Sequence, residues 1–305
     1  MEGPIVACVP NFSEGIDEAC VRAIVSSMRV EGVRLLDWSM DSDHNRSVVT
    51  IAGPPAAVVE AAVRAAGQAA DSIDLTKQRG VHPRIGAADV IPFVPVSNIS
   101  LDRCAVLARQ AGAEIWKRYS IPVYFYEAAA ARPDRANLED VRRGQFEQLR
   151  EAAKNEPKRR PDIGGPGLHP TAGACAVGAR KFLVAYNIYF DSTDVSLVRA
   201  IAKDLRASAG GLKGVKALGV LAHGRAQLTM NITDLQATPV SAVFAQVCRL
   251  ADRHKADPAS AEIIGLLPQM AYEQESAWMR LLDGFDPATK VLERRLEAPQ
   301  DWPES

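Results

Sequence analysis

Residues 80–96 read GVHPRIGAADVIPFVPV, a short polar loop that leads into an apolar, strand-like run. Pro83 fixes its own φ and restricts His82 to an extended conformation. Gly80 and Gly86 permit sharp bends on the two sides of this pair. We therefore predict a stiff, bent loop at the mouth of a buried strand, where a rigid scaffold often presents reactive side chains.

His82 is the candidate reactive group of this loop. Its imidazole can accept and donate protons near neutral pH, as general acid–base catalysis requires. The alternative interpretation is structural: His82 caps a turn, while Arg84 and Asp89 form an ordinary ion pair. The residues of the loop alone favour neither interpretation.

The hydrophobic pattern on both sides of this loop predicts the fold. Strands and helices follow the order βαββαβ in the first half, and the second half repeats that order. We predict an α+β chain of two ferredoxin-like subdomains with a cleft between them, the first extended by an extra helix and strand. The predicted strands are 6–9, 33–38, 47–52, 90–96, 123–126, 182–189, 215–222, 227–232 and 261–267. The predicted helices are 16–28, 55–73, 101–119, 140–154, 195–207, 240–254, 270–283 and 288–296.

A segment rich in proline, glycine and charge, 155–180, contains the predicted domain boundary. We place the N-terminal subdomain, with the histidine loop, at 1–177. The C-terminal subdomain, with its closing helices, is placed at 178–305.

The predicted topology also predicts which loops lie next to one another. In a βαββαβ sheet the last strand pairs antiparallel with the first, which brings the His82 loop beside the polar segment 11–14. The turn 41–46 should lie at the opposite sheet edge. Either its residues reach the site across the sheet, or the strand order differs, or they are structural.

Bulk composition excludes several classes of function. The 305 residues carry a net charge of −1, which gives no basis for binding nucleic acid or an anionic membrane. Five scattered cysteines without a CxxC pair indicate free thiols in a reducing cytosol, and no pair of histidines has metal-ligand spacing. No apolar run reaches the roughly 20 residues of a membrane span. The acidic N-terminus is not expected to be a signal peptide.

Three further stretches accompany the His82 loop: VPNFSEG at 9–15, NRSV at 45–48 and VGARKFLVAYNI at 177–188. In their order and spacing, the four stretches resemble the glutamate formiminotransferase family, whose members are also called glutamate formimidoyltransferases. The resemblance runs from about residue 4 to about residue 270.

This resemblance implies the reaction and its setting. The family transfers the formimino group from N-formimino-L-glutamate to tetrahydrofolate, a step of histidine degradation. Tetrahydrofolate is then the co-substrate, no metal is required, and a cytoplasmic homodimer is expected. Since the chain ends at Ser305, we expect no cyclodeaminase domain, and a separate cyclodeaminase would act downstream.

The resemblance also assigns residues to roles. His82 would act as general base and then general acid, and Arg46, Arg84 and Arg180 are candidates for binding the carboxylates of the glutamate. Glu14 or Asp43 could orient His82. Some members carry an acidic residue where this chain has Ser39, and Asp41 or Asp43 could substitute for it. The complete predicted set of substrate-binding or orienting residues is Asn11, Ser13, Glu14, Asp43, Asn45, Arg46, Arg84 and Arg180.

A glycine-proline loop at 164–173 is the predicted folate-binding segment of the family. Its residues are Gly164, Gly165, Pro166, Gly167, Leu168, His169, Pro170, Thr171, Ala172 and Gly173. The alternative interpretation is a flexible linker between domains. Two alternative functions also stay open: transfer of a formyl group between 5-formyltetrahydrofolate and glutamate, and folate binding without catalysis.

Overall fold

The computed structural model describes residues 3–273, 276–299 and 302–303. The chain divides into two compact units: the first runs to Arg180 and includes the chain from Pro299 onward, and the second is Lys181–Ala298. Each unit has its own β-sheet and its own hydrophobic core. This mixed architecture with two separate sheets confirms the predicted α+β class.

The first unit contains β1 (Ile5–Cys8), β2 (Asn11–Phe12), β3 (Arg34–Asp41), β4 (Arg46–Gly53), β5 (Ala88–Ser97), β6 (Val123–Glu127) and β7 (Cys175–Ala179). β1 and β2 are two parts of one N-terminal strand, and both parts pair antiparallel with β4 on one side and β5 on the other. β3 is the neighbour of β4, while β5, β7 and β6 run parallel in that spatial order.

Three long helices supply the main apolar layer of this unit. They are α1 (Glu18–Ser27), α2 (Pro55–Ser72) and α3 (Leu101–Tyr119). The side chain of Asp17 accepts a hydrogen bond from Cys20 N, and that of Ser100 accepts one from Arg103 N. Each such N-cap typically stabilises a helix by about 0.5–2 kcal/mol. The buried faces of all three helices join the core on one face of the sheet.

The first unit contains one strand that the sequence analysis does not identify. β7 lies between β5 and β6, inside the segment predicted to be a boundary. The opposite face of this part of the sheet is covered by α4 (Leu138–Val141) and α5 (Gln145–Asn155). The prediction of one helix over 140–154 is wrong, because Gly144 adopts a left-handed φ of 85° and separates the two helices.

Strand register decides which loops meet. Phe12, at the end of β2, pairs with Ser47 at the start of β4 and with Ala88 at the start of β5. The connections that precede β4 and β5 therefore meet the connection after β2 at one end of the sheet. β3 is indeed an edge strand, but the turn 41–46 is only one strand away from the His82 loop, so it does not need to reach across a sheet face.

The second unit contains β8 (Val184–Phe190), α6 (Val195–Leu205), β9 (Val215–Ala222), β10 (Arg225–Ile232), α7 (Val240–Arg253) and β11 (Pro258–Ile264). The strands form an antiparallel sheet in the order β11-β8-β10-β9. His223 and Gly224 connect β9 to β10 with φ values of 49° and 69°, as a tight hairpin requires. The ferredoxin-like assignment of either unit stays a prediction.

The chain after β11 differs from the predicted closing helices. Within the described part of 270–283, only single 3-10 turns occur, at Gln269–Ala271 and Met279–Leu281, so the predicted helix is wrong there. Residues 274–275 of that prediction lie outside the described residues. Trp278 is fully buried against Tyr186, with ring centroids 5.6 Å apart, so the apolar residues reflect packing of an irregular segment. The predicted helix 288–296 is two short helices, α8 (Pro287–Lys290) and α9 (Leu292–Glu297).

None of the described helices combines the length and the apolar character that a bilayer span requires.

Candidate functional site

The His82 loop connects α2 to β5, and backbone hydrogen bonds attach it to three other segments. These bonds run from Val81 N to Asp43 O (3.3 Å), from Phe146 N to Arg84 O (2.9 Å) and from Ala87 N to Ala172 O (2.9 Å). Because the loop is held at both ends and in the middle, the backbone that carries His82 has a defined position.

The two glycines of the loop are not needed for the sharp bends that the sequence predicts. Neither Gly80 nor Gly86 adopts a positive φ. A Cβ on Gly80 would lie 2.5 Å from His44 O, and a Cβ on Gly86 would collide with Ala174 O. Glycine is therefore required at both positions because another backbone approaches closely, and not because of an unusual bend.

Glu14 organises the segment that follows β2. Its Oε1 accepts hydrogen bonds from the backbone amides of Gly15, Ile16 and Asp17 at 3.0, 2.8 and 2.9 Å. Its Oε2 accepts a 2.6 Å hydrogen bond from Gln78 Nε2. Both carboxylate oxygens are thus used to hold the backbone before α1, at the positive end of that helix.

Asn45 links the β3–β4 turn to the same segment. Its Oδ1 accepts a 2.9 Å hydrogen bond from Gly15 N. Its Nδ2 donates to Gln78 Oε1 and, at 2.7 Å, to Arg79 O. Asn45 has a φ of 46°, a conformation that asparagine tolerates better than most residues. One buried amide therefore connects three segments that are far apart in sequence.

Arg46 is the cation nearest to this junction. Its guanidinium donates to Asn11 Oδ1 through Nη2 and, at 2.9 Å, through Nε. Burial, and after it the charge of Arg142, lower the pKa of Arg46 to about 10, while Asp89 and Asp41 oppose the shift. Arg46 is therefore a half-buried cation whose side chain donates to a neutral amide.

His82 lies among these cations. Its ring is half-buried, and its centroid is 6.5 Å from that of His44. Burial lowers the pKa of His82 well below its ordinary value. Four neighbouring side chains lower that pKa further, in decreasing order Arg46, Arg142, His44 and Arg84. At neutral pH the ring is consequently uncharged and able to accept a proton.

The predicted acidic partners of His82 are engaged elsewhere or exposed. Across 3–273, 276–299 and 302–303, no hydrogen bond to the His82 ring is found. Glu14 binds backbone amides and Gln78, as described above, and the Asp43 side chain is exposed. We expected an acidic partner that keeps the pKa of His82 near neutrality. The charges that act on His82 come from basic side chains instead.

The guanidinium of Arg84 already binds groups of the protein itself. Only 8% of the residue is exposed, and its Nη2 donates to Gln78 O at 2.8 Å and to Glu147 Oε1 at 3.0 Å. Its ion-pair partner is Glu147 of α5 and not Asp89. The structural interpretation of Arg84 was therefore right about an ion pair but named the wrong carboxylate.

Arg142 is the site residue that sequence reasoning missed. Its Nη2 pairs with Asp89 Oδ2, while Asp89 Oδ1 accepts a 2.7 Å hydrogen bond from Ile85 N. Arg142 lies at the C-cap of α4, far in sequence from every recognisable motif. A buried aspartate at the start of a strand was the one available sign that a cation would come from elsewhere.

Two other predicted residues lie at different places in the same unit. Ser13 is buried, and its hydroxyl donates to Gly86 O at 2.7 Å, which ties the segment after β2 to the His82 loop. Arg180 follows β7, and its backbone N donates to Phe93 O at 3.0 Å, towards the far end of β5. Arg180 is not among the charges that influence His82.

The predicted folate loop, 164–173, lies within the first unit before β7. Its second half is fixed: Leu75 N donates to Thr171 O at 2.9 Å, and His169 Nδ1 accepts a 3.0 Å hydrogen bond from Ala172 N. Burial lowers the pKa of His169. In the first half, Gly164 has a φ of 78° and leaves room for the ring of Trp116, which a Cβ would approach to 2.6 Å. Only the second half of the loop is directly bonded to the His82 loop.

The end of the sheet where the His82 loop lies offers a neutral imidazole, the two partly buried guanidiniums of Arg46 and Arg142, and several fixed amides. Within the described ranges, no group of three or more histidine, cysteine, aspartate or glutamate side chains could hold a metal ion. Such a set of groups can move a proton and bind anions.

Comparison with known proteins identifies the family of the chain. Residues 5–180 match the N-terminal subdomain of the formiminotransferase domain, and residues 185–280 match the formiminotransferase domain. The chain belongs to the formiminotransferase family. The predicted recognition and the predicted class of enzyme, a transferase, are confirmed by this membership.

The relatives differ in how much of their own length is matched. A glutamate formimidoyltransferase of Streptococcus pyogenes is 39% identical over 96% of this chain and 98% of its own. One of Thermoplasma acidophilum is 41% identical over 96% of this chain and 97% of its own. The formimidoyltransferase-cyclodeaminase of Gallus gallus is 38% identical over 88% of this chain but only 51% of its own.

Proposed function

We propose that this protein transfers the formimino group from N-formimino-L-glutamate to tetrahydrofolate, giving 5-formimino-tetrahydrofolate and L-glutamate. The observation that carries the proposal is a neutral His82 on a fixed loop among Arg46 and Arg142, in a chain of the formiminotransferase family. The two relatives matched over nearly their whole length are named glutamate formimidoyltransferases.

His82 would move the proton in both halves of the reaction. N5 of tetrahydrofolate attacks the formimino carbon, and His82 takes the proton that N5 loses. The bond from that carbon to the glutamate nitrogen then breaks, and His82 returns the proton to this nitrogen. The depressed pKa supports the first half, because the ring is unprotonated at neutral pH.

Binding of the donor would prepare the second half. Glutamate carries two carboxylates, and an anion placed near Arg46 and Arg142 offsets the charges that depress the pKa of His82. The pKa of His82 should then be higher in the complex than in the free protein. The His82 ring is an uncharged base in the free protein, and it holds a proton more firmly once the donor is bound.

The loop 164–173 is proposed to bind the folate. The position of the second half of this loop supports the proposal, since the hydrogen bond from Ala87 N to Ala172 O brings that half beside the His82 loop. We further propose two ferredoxin-like subdomains, a cytoplasmic homodimer, a place in histidine degradation, and release of the product to a separate cyclodeaminase.

One assay tests the proposed function. Purified protein is incubated with tetrahydrofolate and N-formimino-L-glutamate, and glutamate release is followed beside folate product and ammonia. The proposal expects glutamate and 5-formimino-tetrahydrofolate in equal amounts, without enzyme-dependent ammonia. Turnover with 5-formyltetrahydrofolate and glutamate, but not with the formimino donor, would replace it by formyl transfer. Folate binding without any turnover would make the protein a binding protein.

A further inference from the structure

Arg142 has a placement that its ion pair alone does not explain. The side chain is 13% exposed and reaches from the connection between α4 and α5 to Asp89, whose side chain is 3% exposed. Asp89 is already held by Ile85 N, so the pair fixes the guanidinium against the base of the His82 loop. A fixed guanidinium loses little conformational entropy when it binds a ligand.

Most hydrogen-bond donors of Arg142 remain unused. A guanidinium has five N–H groups, and among the described residues the side chain of Arg142 hydrogen-bonds through Nη2 alone. Nε is buried and has no hydrogen-bond partner within the described residues. A buried donor left unsatisfied costs about 1–3 kcal/mol, a cost that a bound acceptor would remove.

The local charge also favours an anion. Arg142 and Arg46 are close enough for each to act on the charge of His82, and Arg142 lowers the pKa of Arg46. Asp89 pairs with Arg142, the side chain of Arg46 donates to the neutral amide of Asn11, and Asp41 and Asp89 both act on the charge of Arg46. The groups whose charges act on His82 are nevertheless basic ones, Arg46 and Arg142 first, so the surroundings of the ring favour an anion.

Arg84 does not compete for this role. Its Nη2 is occupied by two carbonyls and Glu147, so that its charge is paired on the side of α5. Arg84 Nε is likewise buried without a hydrogen-bond partner among the described residues, but the charge of Arg84 acts on His82 less than the charges of Arg46 and Arg142, so Arg142 is the stronger candidate.

We propose that Arg142, together with Arg46, binds a carboxylate of the acidic donor substrate, an inference that rests on the proposed function and deepens it. Asp89 is the positioning residue that holds the Arg142 guanidinium for this contact. The donor carboxylate would sit between the two guanidiniums, within reach of the reacting imidazole.

The test compares Arg142→Ala with Arg143→Ala. Arg143 is the adjacent residue, its side chain is 76% exposed, and it pairs with Asp140 on the surface. Arg142→Ala should raise the KM for N-formimino-L-glutamate by about 10- to 100-fold, while the KM for tetrahydrofolate stays within about twofold, as loss of a charge-assisted contact predicts. Arg143→Ala should leave both constants unchanged. Arg142→Lys should recover part of the lost affinity for N-formimino-L-glutamate, because lysine keeps the positive charge but lacks the planar guanidinium that binds a carboxylate through two N–H groups.

A second readout separates this inference from the proposed function. Calorimetric titration with L-glutamate measures binding of the dicarboxylate without any turnover. Weaker binding by Arg142→Ala than by Arg143→Ala supports the inference even if the parent protein fails to use the formimino donor. Equal glutamate affinities, or equal rises of both KM values, would overturn it and make Arg142 structural. If Arg142→Ala does not fold by circular dichroism, Arg142→Lys decides through the same two measurements.

Discussion

The His82 loop of the first unit and the His223–Gly224 turn of the second are both histidine-containing connections before a strand, yet they are built differently. The turn closes within two residues through positive φ values of 49° and 69°. The loop is closed by contacts with segments 13–17, 41–46, 142–146 and 172–174, none of them adjacent to it in sequence. A connection of the first kind joins two strands, whereas one of the second kind can bring several functional groups together.

The contrast between the loop and the turn predicts its largest difference for the two histidines, since replacing His82 should reduce turnover and replacing His223 should not. His82→Ala should reduce turnover by roughly 10²–10⁴-fold, the usual contribution of a positioned acid–base group. His223→Asn, which suits the left-handed backbone of the turn, should leave turnover unchanged. Steady-state glutamate release, with folding checked by circular dichroism, measures both. Similar turnover in the two variants would remove His82 from the mechanism.

The glycines of the two connections give the next largest contrast. Gly80→Ala would place a Cβ 2.5 Å from His44 O and 2.7 Å from Asn45 Cβ, so the loop must shift. We expect turnover to fall by about 10- to 100-fold, because displacements near 1 Å misalign reacting groups. Gly224→Ala meets no atom within 4 Å, so its effect should be limited to backbone strain. Initial rates beside melting temperatures distinguish the two; equal rates would mean that the loop tolerates displacement.

Arg84→Lys sharpens the comparison by separating loop stability from substrate binding. The lysine keeps a charge for Glu147 but loses the guanidinium Nη2, which donates to both Gln78 O and Glu147 Oε1. We expect a loss of about 1–3 kcal/mol in the free energy of unfolding, with both KM values unchanged. Denaturant unfolding and steady-state kinetics test this. A raised KM for the donor at unchanged stability would restore Arg84 as the carboxylate-binding residue that the sequence predicts.

The smallest expected effect concerns the loop 164–173. Its second half is already hydrogen-bonded, with His169 N donating to Gly173 O at 2.8 Å and Ala174 N to Ile85 O at 2.9 Å. Tetrahydrofolate should therefore slow amide exchange mainly in 164–168, where glycines leave more backbone freedom, and not in the 223–225 turn. Hydrogen-exchange mass spectrometry with and without folate makes the comparison. Unchanged exchange throughout 164–173 would count against a folate-binding role.

Local pattern was sufficient for the elements whose residues fit one period or one turn type. Strand β9, helix α3 and the turn at His223 follow from alternation, helical spacing and a histidine-glycine pair. Strand β7 was missed because its sequence CAVGA has few bulky residues between glycines. Small residues are needed there, since a Cβ on Gly178 would lie 2.5 Å from the ring of Tyr126.

The site was predicted only where one segment carries the information. The resemblance and the proline-glycine frame led to His82 as the candidate, and the predicted pairing of β1 with β5 correctly brought the segment after β2 beside its loop. Arg142 was not identified, because its approach depends on Gly144 separating α4 from α5 and on its ion pair with Asp89. Such a contact between distant segments has no local signature.

The central claim is that His82 is a base kept uncharged by burial and by the surrounding cations, and its titration tests this most directly. Since the unfolded chain binds this proton at higher pH than the folded chain, acid conditions below the ordinary pKa also favour unfolding, so folding must be checked at each pH. The measurement is the proton NMR titration of the His82 ring, assigned by its loss in His82→Ala. We predict a pKa below the ordinary histidine value of about 6.5 in the free protein, and an upward shift when L-glutamate binds. A pKa at or above that value in the free protein, or one that glutamate leaves unchanged, would contradict the account.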